Sequence, residues 1–197
     1  MKFKIFKFKK VTSTNDQAIK LIKIDKKSFG CAYAEIQTKG RGTYGKNWIS
    51  KKGNFFGSIF FPLKKNFPPF NDFLVINSVI ISDVIKHFCK TEIINLKYPN
   101  DIFLNKKKVC GILQEIIFAN DKSFLIVGIG LNIISNPKLF EKYEATNILL
   151  HTKKRLKIEK ITNFIIASYE KFFTNLSSYS YIKLKKKADS MSLNHLK

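Results

Sequence analysis

Gly30 to Trp48, GCAYAEIQTKGRGTYGKNW, is the stretch on which the fold turns. From Cys31 to Thr38 the residues alternate and include Tyr, Ile and Thr, the pattern of a half-buried strand. At Lys39 the alternation stops, and Gly40, Arg41, Gly42 and Gly45 follow with Lys46 close behind. Such a backbone can take positive φ and lay its N–H groups against an anion, which points to phosphate chemistry. The three glycines also satisfy G-x-G-x-x-G. A dinucleotide-binding turn, however, opens a helix and places an acid about 20 positions on. Here Trp48 to Phe61, WISKKGNFFGSIFF, reads as a pair of strands with Gly53 and Gly57 inside it, and it holds no acid. The dinucleotide reading therefore fails, while a plain glycine-rich hairpin with solvated basic side chains stays open.

Upstream, MKFKIFKFKK alternates Lys with Phe and Ile as a strand does, without the apolar run or cleavage site of a signal peptide. In Val11–Ile24, Ser13 and Thr14 precede Ala18, Leu21 and Ile22, so a helix starts near Thr14 or Asn15, and capping alone would account for Ser13, Thr14 and Asn15. Downstream, FPLKKNFPPF (61–70) is a proline-punctuated loop. Asn71–Cys89 carries apolar residues at core-helix spacing, with His87 at the surface.

Ile93–Phe118 begins as a strand, breaks at Tyr98-Pro99-Asn100-Asp101, and returns through a hairpin at Asn105–Lys107. The outgoing strand bears Lys108, Gly111 and Glu115, and a β-meander with exposed lysines would explain the block as well as a site would. Ser123–Ile134 is an apolar strand containing Gly128 and Gly130. Glycines there suggest something approaching the backbone closely. Asn132 beyond them is either a satisfied core amide or a ligand contact. Lys157–Leu176 returns to helical spacing, and Lys183–Lys187 reads as a solvated charge run.

At 197 residues and 45% hydrophobic content the chain fits one domain with a full core, and no segment approaches a membrane span. A cytoplasmic protein without membrane attachment is expected. Cys31, Cys89 and Cys110 and the three histidines are scattered, so neither a zinc site nor a disulfide framework is indicated. Cys31 and Cys110 should be buried, inert thiols. The net charge of +22 invites a nucleic-acid partner, yet only Arg41 and Arg155 are arginine and the lysines spread over every segment. Base-reading surfaces favour arginine, so specific nucleic-acid binding is not expected.

The blocks STND, QTKGRGTYGKNW, KYPNDIFLNKKKVCGILQE and VGIGLNI, in that order, resemble the catalytic domain of biotin protein ligases, over about Val11 to Ile134. The resemblance implies an α+β fold, a mixed and largely antiparallel sheet flanked by helices, shared with lipoate ligases. It implies a two-step reaction: biotin and Mg-ATP give biotinyl-AMP, and a lysine of a biotin carboxyl carrier protein of acetyl-CoA carboxylase then takes the biotinyl group. It assigns Lys108, Arg41 and Lys97 as catalytic cations. Ser13, Thr14, Gln37, Gly40, Arg41, Lys108, Gly111, Gly128 and Gly130 fall at biotin-binding positions. Arg41, Trp48, Asn100, Lys108 and Asn132 fall at ATP-binding positions, with Trp48 stacking on adenine, and Asp101 at a metal position for Mg2+. The cations are chemically apt, because joining a carboxylate to an α-phosphate opposes like charges and needs fixed positive groups.

Three positions depart from the family pattern: Thr43 and Lys46 replace arginines and Tyr98 a tryptophan. Residues 1–180 are expected as the catalytic domain and 181–197 as a tail, with neither an N-terminal DNA-binding domain nor the relatives' C-terminal β-barrel; monomer and homodimer stay open. A lipoate-type ligase, or a biotin or adenylate binder without turnover, is the rival reading.

Overall fold

The computed structural model describes residues 1–137 and 143–193. Seven strands form one sheet: β1 (Lys4–Val11), β2 (Gly30–Gln37), β3 (Phe55–Pro62), β4 (Ile94–Lys97), β5 (Asp101–Leu104), β6 (Lys107–Ala119) and β7 (Lys122–Leu131). The order across the sheet is β1-β2-β3-β7-β6-β5-β4. Only the β1–β2 pair is parallel; every other neighbouring pair is antiparallel. The helices are α1 (Thr14–Lys23), α2 (Asp72–Phe88), α3 (Ile148–Thr152), α4 (Ile158–Thr174) and α5 (Tyr181–Ser190). This is the mixed, largely antiparallel sheet with flanking helices that the motifs implied.

Strand alternation splits the core into two layers. Cys31, Tyr33, Ile59, Phe61, Leu125 and Val127 join the larger cluster with α2 and α4, whereas Ala32, Phe60, Phe124 and Ile126 pack with Ala18, Leu21 and Ile22 of α1. Side chains of period two on strands meeting apolar stripes on helices produce this layering. Phe61 anchors the larger layer, 4.9 Å from the Phe173 ring and 5.4 Å from Phe73. Each fully buried Phe contributes on the order of 2–3 kcal/mol of transfer free energy. A buried polar chain ties three elements together: Tyr169 donates to Asn77 at 2.8 Å, and Asn77 donates to Gln114 of β6 at 3.0 Å.

Two expectations are corrected. Trp48–Phe61 is not a strand pair; only Phe55–Pro62 is a strand, and the preceding residues form a loop. The reason is Asn54, whose buried Oδ1 accepts from the amides of Ile133, Ile134 and Ser135 and turns the chain instead of extending it. Gly53 sits at φ +92 against Ile134 in that turn, where a Cβ would lie 2.1 Å from the Ile134 side chain. The second correction concerns the stretch expected as a tail. Residues 181–190 form α5, capped by Ser180, and the helix buries Ala188 while Leu184 and Met191 pack on the main core. Its lysines are largely exposed, as the charge run implied, but the helix under them is docked: Leu96 of β4 donates its amide to Met191 O at 2.7 Å.

Candidate active site

One cavity of about 500 Å³ opens over the β6–β7 end of the sheet, between the start of α1, the glycine loop and the β4–β5 turn. Its floor follows from register. Gly111 of β6 lies directly opposite Gly130 of β7, and Leu113 lies opposite Gly128. Two facing glycines leave a bare patch of backbone, and the indole of Trp48 lies on it: a Cβ at Gly130 would stand 2.2 Å from Trp48 Cε2, and one at Gly111 2.7 Å from Cζ3. The approach inferred from glycine placement is real, and a side chain of this chain makes it. A Cβ at Gly128 would likewise meet Asn15 Oδ1 at 2.4 Å.

The α1 wall is both cap and cavity lining. Ser13 accepts from the Asn15 amide at 3.2 Å, the cap its residue type suggested, and it is buried at the cavity edge. Thr14 donates its amide and hydroxyl to Gln37 Oε1 at 2.7 and 3.0 Å, and Gln37 Nε2 donates to Ser50. Ser58, buried on β3, donates to Asn15 Oδ1, and its oxygen lies 2.8 Å from Thr14 Oγ1.

The glycine loop is more self-contained than the sequence suggests. Gly42 N donates to Lys46 O, Lys46 N to Thr43 O, and Trp48 N to Gly40 O, so three of the amides expected to face an anion are bonded within the loop. Of its glycines only Gly45 takes positive φ, beside Tyr44 at φ 54. Gly40 is buried and does not line the cavity; a Cβ there would press on Trp48 O at 2.6 Å. Gly40 therefore packs in the loop base, apart from the cavity wall that the other expected biotin-binding residues line.

The three expected cations, Arg41, Lys97 and Lys108, do line this one cavity. Each has company. Arg41 Nη1 lies 2.7 Å from Asp16 Oδ1 and Nη2 2.7 Å from Glu115 Oε2. Lys108 Nζ lies 2.8 Å from Asp101 Oδ1 with both side chains about four-fifths buried, and 5.8 Å from the Trp48 ring centroid. Lys97 Nζ stands 4.3 Å over the Tyr143 ring. The Lys108 backbone is pinned as well, donating to Glu144 O and accepting from the Thr146 amide, both at 2.8 Å.

On the far side, Asn100 donates to Thr43 Oγ1 at 3.2 Å. Asn132 donates to Thr146 O at 3.0 Å, yet its buried Oδ1 has no partner among the described residues, and neither has buried Trp48 Nε1. Unpaired buried polar atoms are uncommon; Ser82 Oγ and Asn95 Oδ1 are the others among the described residues, whereas Asn132 and Trp48 both line this cavity. For a metal, no group of three or more His, Cys, Asp or Glu occurs among the described residues. Asp101 alone suits Mg2+ carried chiefly by nucleotide phosphates and not an all-protein cage.

Of the residues the sequence reading passed over, Asp16, Ser58 and Tyr143 touch the expected site residues, and Glu115, noticed without a role, holds Arg41. Asp16 lay within the STND block; the other two carried no local signal. The cysteines are buried and free. Burial pushes the Cys31 thiol up to about 12 and the Cys110 thiol higher still, so neither is a nucleophile.

Comparison with known proteins agrees with this fold. A family model described as the biotin/lipoate A/B protein ligase family matches residues 6–132. The bifunctional ligase/repressor BirA of Bacillus subtilis is 27% identical over 169 residues, covering 81% of this chain and 50% of that protein, so the chain spans about half of that relative's length. Among solved structures, the biotin protein ligase of Aquifex aeolicus in complex with biotin and ATP superposes with a TM-score of 0.78 at 26% identity, covering 96% of this chain and 78% of that one. The biotin protein ligase of Leishmania major in complex with biotinyl-5-AMP gives a TM-score of 0.84 at 26% identity, covering 98% and 83%.

Proposed function

The chain belongs to the biotin/lipoate A/B protein ligase family, and from that premise we propose that it joins biotin to ATP as biotinyl-5'-AMP and passes the biotinyl group to a lysine of a biotin carboxyl carrier protein. The carrying observation is the convergence of Lys108, Lys97 and the Trp48 ring, seated on Gly111 and Gly130, on one cavity that Asn132 also lines.

In the first step a biotin carboxylate oxygen attacks the α-phosphorus and pyrophosphate leaves. Lys108 is the cation best held for this. Its backbone is fixed by the segment 144–146 and its ammonium is steadied by Asp101 in a largely buried setting, where fixed charge acts more strongly than in water. Lys97 adds a second positive group from the β4 end. Mg2+ arrives with ATP as part of the co-substrate, with Asp101 the protein carboxylate suited to it. Thr14 and Gln37, bonded to each other on the cavity wall, stand on the side assigned to the ureido end of biotin, while Trp48, Asn100 and Asn132 suit the nucleotide. In the second step the carrier lysine's neutral amine attacks the acyl carbon and AMP leaves.

Incubation with biotin, Mg-ATP and a carrier domain, read by mass spectrometry, should show one biotinylated lysine and release of pyrophosphate and AMP. A thermal shift with biotin and ATP but no adenylate would reduce the protein to a binder. Turnover of lipoate in place of biotin would reassign it within the family.

A further inference from the structure

We propose that Asp16 and Glu115 are positioning residues that clasp Arg41 and thereby set how long the glycine loop keeps the adenylate enclosed, an inference that rests on the ligase reading above. Arg41 was expected to act directly on the anion. The structure instead flanks its guanidinium with two carboxylates, one on each terminal nitrogen, each at 2.7 Å. With both forks engaged by opposite charge, the trio carries more negative than positive charge and is a poor receptor for a phosphate. It is a good strap.

The strap is braced at its fixed end. The Glu115 oxygen that holds Arg41 also accepts from Asn15 Nδ2 at 2.6 Å, and Asn15 is buried and bonded to Ser58 of β3. Asp16 sits in the first turn of α1. At the loop end several amides bond within the loop, Thr43 meets the body through Asn100 at 3.2 Å, and the Trp48 ring packs on the sheet. Arg41 thus joins a loop that bonds mostly to itself to the rigid α1–β6 wall.

The two roles for Arg41 predict opposite signs. If Arg41 served the anion directly, removing a competing carboxylate would free it and tighten ligand retention. If Arg41 is the strap, the same change loosens the loop. The three side chains are about one-third exposed, so each pair is worth at most about 1 kcal/mol, roughly a two- to fivefold change in a loop-opening equilibrium.

The test uses Asp16→Asn, Glu115→Gln and the conservative Asp16→Glu. Enzyme loaded with biotinyl-AMP is chased, and intermediate release is timed beside single-turnover adenylation. Release should quicken roughly two- to fivefold in the neutral variants, with adenylation changed less, recovery in Asp16→Glu, and a smaller difference at high salt. Unchanged or slower release in Asp16→Asn overturns the proposal. Trypsin cleavage of the ligand-free loop at Arg41 gives a reading independent of catalysis. The neutral variants should be cut faster, and equal rates also count against the clasp. If the wild type makes no adenylate at all, the ligase reading fails while the cleavage comparison still decides the strap. Asp16 is the cleaner probe, because Glu115→Gln also disturbs Asn15.

Discussion

Two glycines on β7 face nearly the same steric test with different neighbours. Adding a Cβ at Gly128 would place it 2.4 Å from Asn15 Oδ1; at Gly130, 2.2 Å from Trp48 Cε2. Neither has a positive φ, so both substitutions are sterically, not conformationally, strained. At Gly128 the obstacle cannot yield cheaply. Asn15 is 3% exposed, accepts from Ser58 and donates to Glu115. Overpacking there costs about 1–3 kcal/mol, and displacing the amide leaves buried polar groups short of partners for about 1–3 more. A net loss of about 2–6 kcal/mol lowers the melting temperature by about 4–24 °C for a chain of this length. At Gly130 the obstacle is a partly exposed ring on a loop, whose Nε1 is buried without a partner and regains solvent when the ring moves. The expected stability loss for Gly130→Ala is under about 1 kcal/mol. Its signature is optical: Trp48 is the only tryptophan, so its emission should shift red, and the thermal shift given by ATP should shrink. Equal melting losses in the two variants, or an unchanged Trp48 spectrum in Gly130→Ala, would refute the steric reasoning.

Lys108→Met should lower single-turnover adenylation by about 10²–10³-fold at saturating biotin, checked by stopped-flow pyrophosphate release; a drop below tenfold would remove Lys108 from the transition state. Thr43→Arg, which adds a cation at the loop turn and takes away the Asn100 contact, should slow adenylate release, measured by chase, and no change would show that Thr43 does not set retention. Alkaline stability follows from buried thiols: burial pushes Cys31 up to about 12 and burial with Glu92's charge pushes Cys89 up to about 11 from the ordinary 9.0. The unfolded chain then gives up those protons first, so stability holds below about pH 9 and falls as pH rises toward 11–12, by about 1.4 kcal/mol per pH unit per thiol. Urea melts between pH 7 and 11 on wild type and Cys31→Ala should separate, and a Cys31→Ala protein with an undiminished alkaline loss would exclude this source.

What the sequence made legible was local. The strand before Lys39, the capped start of α1, the apolar stripes of α2 and α4 and the hairpin at Asn105–Lys107 all rest on periodicity and turn chemistry that neighbouring residues settle among themselves. The clustering of the glycine loop, the β4–β5 turn and the β6–β7 glycines could be read only as a set, because no short pattern says that Gly111 and Gly130 share a register. Residues whose meaning depends on a distant partner escaped. Asn54 turns the chain by capturing amides on the far side of β7, and α5 lacks the apolar content that would separate it from a solvated run, since little more than Leu184, Ala188 and Met191 face the core.

The same distinction governs Arg41. Its position in a glycine-rich loop made it look like a phosphate ligand, a role set by nearby residues, whereas Asp16 on α1 and Glu115 on β6 give it a role set by the fold. A cation between two carboxylates holds a loop; a cation such as Lys108, with one carboxylate and largely buried, still has charge to offer an incoming anion. In this cavity the division of labour between closing the site and stabilising the reaction is written in how many acids each base already faces.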